Sequence, residues 1–139
     1  MSIAEIQEEI VDEFSLFEDW MEKYDYIIEL GKSLPLIEEK YKTDDNLIKG
    51  CQSKVWLHAK KDGDKINYTA DSDAIITKGI IALLLRVFSN QKPEAILETN
   101  IDFIDKIGLK EHLSPTRANG LVSMIKKIKL YALGLGATS

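Results

Sequence analysis

Between Lys54 and Asp71 the apolar residues of this chain recur at every second position, while the segments on either side follow helical spacing. Val55, Leu57 and Ala59 alternate with Lys54, Trp56, His58 and Lys60, Asp62-Gly63-Asp64 offers a turn, and Ile66, Tyr68 and Ala70 alternate with Lys65, Asn67 and Thr69. A period of two places alternate side chains on opposite faces of a strand, so the pattern predicts a β-hairpin with one apolar face. Two strands alone are marginal in water, and such a hairpin must either gain a strand or be covered by helices. Residues 46–48 are a candidate short third strand, and residues 33–46, charged and aperiodic, read as a mostly irregular surface connection.

The flanking segments supply the helices. Ser2 with Glu5 makes a capping-box pattern, and Ile3, Ile6, Ile10 and Phe14 then recur at helical spacing, predicting a helix over 3–14. Its carboxylates read as a solvated face. Phe17, Trp20, Met21, Tyr24, Ile27, Ile28 and Leu30 continue the stripe into a second helix, with Gly31 as its stop before Pro35. Asp71-Ser72-Asp73 offers caps for a helix over 74–89 that is apolar on nearly every side and therefore central to the fold. Short helices are expected at 94–98 after Pro93 and at 102–107 before Gly108. Ser114-Pro115 reads as cap and first residue of a long terminal helix, with Leu121, Met124, Ile125, Ile128, Tyr131 and Ala132 on one face and Gly134-Leu135-Gly136 as tail composition. Helices, hairpin, helices give an α+β class, a small antiparallel β-sheet covered by helices, in one domain spanning 1–139.

Composition narrows the function classes. A net charge of -5 and the lack of a basic, aromatic-rich block argue against a nucleic-acid partner. The acidic N-terminus is unlike a signal region, and the apolar stretch 75–88, interrupted by Lys78 and Arg86, is too short to span a bilayer, so the expectation is a cytoplasmic protein without a membrane partner. One cysteine and two histidines are a poor set for a soft metal site, and no metal or cofactor is expected.

That cysteine, Cys51, follows Gly50 and immediately precedes the hairpin. A lone cysteine is either a small buried hydrophobe or a thiol presented to another molecule. Gly50 permits unusual backbone angles and open space beside the sulfur, and Lys49 and Lys54 would favour the thiolate. His58 is the histidine nearest in sequence, yet a separation of seven residues along a strand would put it on the opposite face. His112 reads as an exposed or capping residue before the last helix. Arg117, in the first turn of that helix, runs against the helix dipole; it either meets a distant carboxylate or stabilises an anion on Cys51.

The run Gly50-Cys51-Gln52-Ser53-Lys54-Val55-Trp56, then Asp71-Ser72-Asp73-Ala74-Ile75-Ile76-Thr77-Lys78-Gly79, then His112-Leu113-Ser114-Pro115-Thr116-Arg117-Ala118-Asn119-Gly120-Leu121 resembles the SufE family of sulfur acceptors. Trp20, Tyr24-Asp25-Tyr26-Ile27-Ile28-Glu29-Leu30-Gly31 and Leu34-Pro35 are also similar to that family, with Ala70 departing where members often carry glycine. The resemblance implies a fold similar to the IscU-type scaffold, with the cysteine on a loop at one end of the sheet. It implies that Cys51 takes persulfide sulfur from a pyridoxal-phosphate (PLP)-dependent cysteine desulfurase, stimulates that enzyme, and passes the sulfur to an iron-sulfur scaffold complex. Such a protein is an accessory of non-hydrolytic sulfur transfer; thiol exchange needs one accessible nucleophile and no metal. A carrier should hold Cys51 partly sheltered until docking, with Asp73 either capping its helix or anchoring the Cys51 loop. The sequence leaves open the desulfurase served, another sulfur-transfer route, a Cys51-His112 thiol hydrolase, an interaction domain with an incidental cysteine, and a homodimer.

Overall fold

The period-two segment forms the hairpin. Strands β1 (Val55–Asp62) and β2 (Lys65–Ser72) pair antiparallel from Val55 opposite Ser72 to Asp62 opposite Lys65. Gly63 opens the two-residue turn at φ +64°, a left-handed angle that glycine adopts without strain. Val55, Leu57, Ala59, Ile66, Tyr68 and Ala70 are all buried, so the face chosen by alternation is the face against the helices. This computed structural model describes residues 2–51, 53–101 and 103–137.

The sheet gains neighbours without gaining a full third strand. Leu47 makes a single antiparallel bridge to Trp56, and the Ile48 N–H donates to the Val55 carbonyl at 2.8 Å. On the other edge Leu36 bridges Ala70 in parallel, and the backbones of Ile66, Asn90 and Gln91 exchange two hydrogen bonds. The intervening 38–46 connection, with 3-10 turns at Glu39–Tyr41 and Asp44–Asn46, lies on the outer face of the sheet. There Tyr41 stacks on His58 with ring centroids 3.8 Å apart, and Lys42 sits over Trp56 while pairing with Asp71 at 2.8 Å.

Helix α1 (Ile3–Ser15) starts at the expected capping box: Ser2 Oγ accepts from the Glu5 N–H and Glu5 Oε1 accepts from the Ser2 N–H. Its carboxylates are not simply solvated. Glu9 and Glu13 hold Arg86 of α3 (Ile75–Phe88), and Tyr26 of α2 (Trp20–Gly31) donates to the same Glu13. Asp19 caps α2, and Met21, placed on the apolar stripe by its spacing, is 70% exposed.

Gly31 does not end α2 by a left-handed turn, because the following Lys32 is right-handed. Its role is close approach to α3. A Cβ on Gly31 would lie 3.0 Å from the Gly79 N atom, and one on Gly79 would lie 2.1 Å from the Ile27 carbonyl oxygen. With backbones this near, α3 buries Ile76, Ile80, Ile81, Leu83, Leu84, Leu85, Val87 and Phe88, each large apolar side chain stabilising the fold by roughly 1.5–3 kcal/mol.

Helix α4 (Pro93–Glu98) begins at its proline, and α5 (Phe103–Lys106) is followed by Gly108 at φ +74°. Asp102, the expected start of α5, lies outside the described residues. Helix α6 (Pro115–Ala137) buries Leu121, Met124, Ile128 and Ala132. It continues through Gly134 and Gly136 instead of fraying into a tail, with Gly136 close against Pro93. Two tyrosines lock it to the hairpin: the Tyr68 hydroxyl donates to the Ile128 carbonyl at 2.8 Å, and the Tyr131 hydroxyl lies 3.0 Å from the Leu57 carbonyl.

The crossing of α2 and α3 generates a prediction. Gly79→Ala forces a methyl into backbone, where no rotamer can relieve it, and should lower the midpoint of urea unfolding by an amount equivalent to about 1–3 kcal/mol or more. An unchanged midpoint would show that the two backbones do not meet as described.

Candidate functional site

The loop that carries Cys51 is fastened on three sides. Its base closes through the Ile48–Val55 hydrogen bond. Gly50 turns at φ +91° and lies against α6, where a Cβ would come within 2.6 Å of Ser123 Oγ. The Lys54 N–H donates to Asp73 Oδ1 at 3.0 Å, and the Asp73 N–H returns a bond to the Lys54 carbonyl at 3.2 Å. Asp73 does not cap α3: the residue before that helix is Ala74, with no side-chain cap, and the Ala74 N–H donates to Ser72 Oγ. Of the two roles open to it, helix cap or loop anchor, the carboxylate makes the hydrogen bond of an anchor.

Cys51 is half-buried, and its Sγ points at the Gly120 carbonyl oxygen 3.6 Å away, a weak S–H donor contact. Cys51, Ser53, Thr77, Ile80, Arg117, Gly120 and Met124 line a cleft with about 10 Å³ of free space, on the scale of a single water molecule. The open space beside the sulfur comes from Gly120, not from Gly50. A Cβ on Gly120 would lie 3.3 Å from Sγ, whereas the missing Cβ of Gly50 faces Ser123.

Burial pushes the Cys51 thiol above its ordinary range. The thiolate-favouring role expected of Lys49 and Lys54 is thus overturned: neither lines the cleft. Arg117 does line it. Its backbone N–H donates to Ser114 Oγ at 3.2 Å, as the cap-and-proline pattern predicts, and among the described residues its guanidinium makes no ion pair with a carboxylate.

Neither histidine shares the cleft. His58 stacks on Tyr41, and the exposed His112 stacks on Trp20 with centroids 4.0 Å apart and planes 14° from parallel. Sequence reasoning passed over Thr77 and Gly120. Gly120 carries a signal, since glycine inside a helix costs about 1 kcal/mol relative to alanine and asks for a packing reason. Thr77 carries none beyond being a hydroxyl on a largely apolar helix. Among the described residues no cluster of His, Cys, Asp or Glu could hold a metal ion, and no helix is long and apolar enough to cross a membrane.

Fold and site together define a small α+β domain that shelters one thiol in a cleft between a hairpin loop and two helices. Residues 8–132 match the SufE family, described as an Fe-S metabolism associated domain, and the chain belongs to that family. It is 44% identical over 134 residues to an uncharacterised SufE-like protein of Rhizobium meliloti (strain 1021), covering 91% of this chain and 94% of that protein. A second uncharacterised SufE-like protein, from Rhizobium etli, is 40% identical over 127 residues, covering 88% of this chain and 86% of its own length. The solution structure of a hypothetical protein from Thermus thermophilus superimposes with a TM-score of 0.79 at 20% identity, over 96% of this chain and 97% of that one, which shows a shared fold.

The displaced thiol generates a prediction. Because burial disfavours the charged form, less thiolate exists at neutral pH than for a free cysteine, and alkylation of native protein by iodoacetamide should titrate at higher pH than that of the urea-unfolded chain. A native profile that coincides with the unfolded one or lies below it would show that burial does not govern this thiol.

Proposed function

We propose that the whole chain acts as one sulfur-acceptor domain: Cys51 receives sulfane sulfur from a PLP-dependent cysteine desulfurase, stimulates that enzyme by clearing its persulfide, and delivers the sulfur to an iron-sulfur scaffold. The observation that carries this reading is the single half-sheltered thiol of a family associated with iron-sulfur metabolism, set in a cleft with room for about one more atom. The Cys51 thiolate attacks the outer sulfur of the donor persulfide; a new S–S bond forms, the donor's S–S bond breaks, and the donor leaves as a thiolate with no net oxidation. A free thiol held largely protonated is protected from adventitious oxidants between encounters, and docking that lifts the loop would restore the thiolate. Asp73 then serves as the anchor from which the loop is released. The chain needs no metal or cofactor of its own for this exchange. A hydrolase using Cys51 and His112 gains no support, since His112 is spent on Trp20 outside the cleft.

Intact mass spectrometry after incubation with a desulfurase and cysteine should show increments of about 32 Da, the mass of one sulfur. No increment, or an equal increment in Cys51→Ser, would reject the reading. Arg117→Ala should slow loading about two- to fivefold, the scale of one partly solvated charge interaction, while leaving thermal stability within about 0.5 kcal/mol. Unchanged loading would make Arg117 an ordinary surface residue.

A further inference from the structure

Thr77 is the one polar residue among the buried side chains of the described residues, at 5% exposure, and it sits on the α3 face that lines the Cys51 cleft. Its hydroxyl takes part in no hydrogen bond to a described residue. At the same time, no fully sealed side-chain N or O atom among the described residues lacks a partner. Both statements hold together only if the hydroxyl borders open space, and for a residue this deeply buried that space is the cleft. An unpaired hydroxyl there is costly unless something fills it, because a buried donor without an acceptor loses its hydration for nothing. The resting thiol is not that partner, since Cys51 Sγ points to the Gly120 carbonyl.

We infer that the Thr77 hydroxyl binds the terminal sulfur of a persulfide on Cys51, donating a hydrogen bond to the perthiolate in the space that Gly120 leaves open. This rests on the sulfur-acceptor reading above and names the group that holds the cargo. Once the new S–S bond has formed and the donor thiolate has left, the outer sulfur gives its proton to solvent and carries the negative charge. A hydrogen bond to the charged form favours it, and Arg117, the one charged side chain among the described residues that line the cleft, reinforces it from α6. The consequence is chemical protection. A small thiol strips sulfur when its thiolate attacks the terminal sulfur of the neutral persulfide, forming a new S–S bond and freeing the Cys51 thiolate; an anionic terminal sulfur repels that attack. Thr77 thereby prolongs the life of the loaded carrier near neutral pH; onward transfer, in which a recipient thiolate attacks the same outer sulfur, forms a new S–S bond and frees the Cys51 thiolate, then requires docking to open the cleft and relieve that hydrogen bond.

The test compares wild type, Thr77→Val and Thr77→Ser, each loaded by a desulfurase with cysteine, desalted, verified by mass and exposed to dithiothreitol over about pH 5.5–9. Thr77→Val replaces a hydroxyl that no described residue pairs with by a methyl of similar shape, so it leaves no new unsatisfied group and should not destabilise the fold. It should lose its added sulfur about tenfold faster at neutral pH, with the persulfide's titration displaced upward by about one unit. Thr77→Ser should follow wild type, and the iodoacetamide profile of the unloaded thiol should be the same in all three. Gly120→Ala, whose methyl enters the space beside Sγ, should load one sulfur poorly. Superimposed stripping profiles for loaded wild type and Thr77→Val would overturn the inference while leaving the acceptor reading intact. An equal displacement of the unloaded thiol's profile would also overturn it, since the hydroxyl would then act on Sγ itself. A wild-type chain that never gains the mass of sulfur would remove both.

Discussion

The contact that everything else depends on is backbone against backbone, where Gly79 of α3 meets Ile27 and Gly31 of α2. A helix with apolar residues around its whole circumference has to be enclosed, and one central helix cannot be enclosed by long side chains alone without leaving gaps. By letting α2 come this close on one side, the glycines allow α3 to press the sheet and α6 on its others. That position fixes the first turn of α3, and with it Thr77 and Ile80, beneath the Cys51 loop. The Arg86 network with Glu9, Glu13 and Tyr26 then closes α1 over the same core. Glu13 is held below the usual carboxylate range first by its hydrogen bond to Arg86.

The site is organised by restraint. Reactive cysteines are commonly activated by a nearby cation or helix N-terminus. Here burial raises the thiol, and the Gly120 carbonyl accepts a weak hydrogen bond from its S–H. The three fastenings of the loop, at Val55, Ser123 and Asp73, hold the sulfur in the cleft.

Much of this architecture can be read in the residues. Alternation set the hairpin and its buried face, the Ser2–Glu5 pair set the start of α1, and Ser114-Pro115 set the start of α6, because each is a local rule that tertiary packing reinforced. The failures have a common cause: they concern what a residue meets across space. Gly31 resembles a helix stop by position but is a contact surface; Lys49 and Lys54 are close to Cys51 along the chain yet outside its cleft. Thr77 was invisible for the same reason, and Gly120 showed only as a glycine inside a helix, since the meaning of both comes from two helices converging on one atom. Cys51 itself stood out because a single thiol after a glycine has few structural uses.

Both edges of the sheet are occupied along part of their length, β1 by Leu47 and Ile48, β2 by residues 35–37 and by Asn90 and Gln91. Unpaired strand edges invite another chain to add itself through main-chain bonds that read little of its sequence. With those stretches of edge occupied, less main chain is left open to an added strand, and side chains on the helices and the loop make up more of the exposed surface near Cys51. The irregular connection that wraps this hairpin therefore does more than cover a small sheet: it narrows the company that a transferable atom can keep.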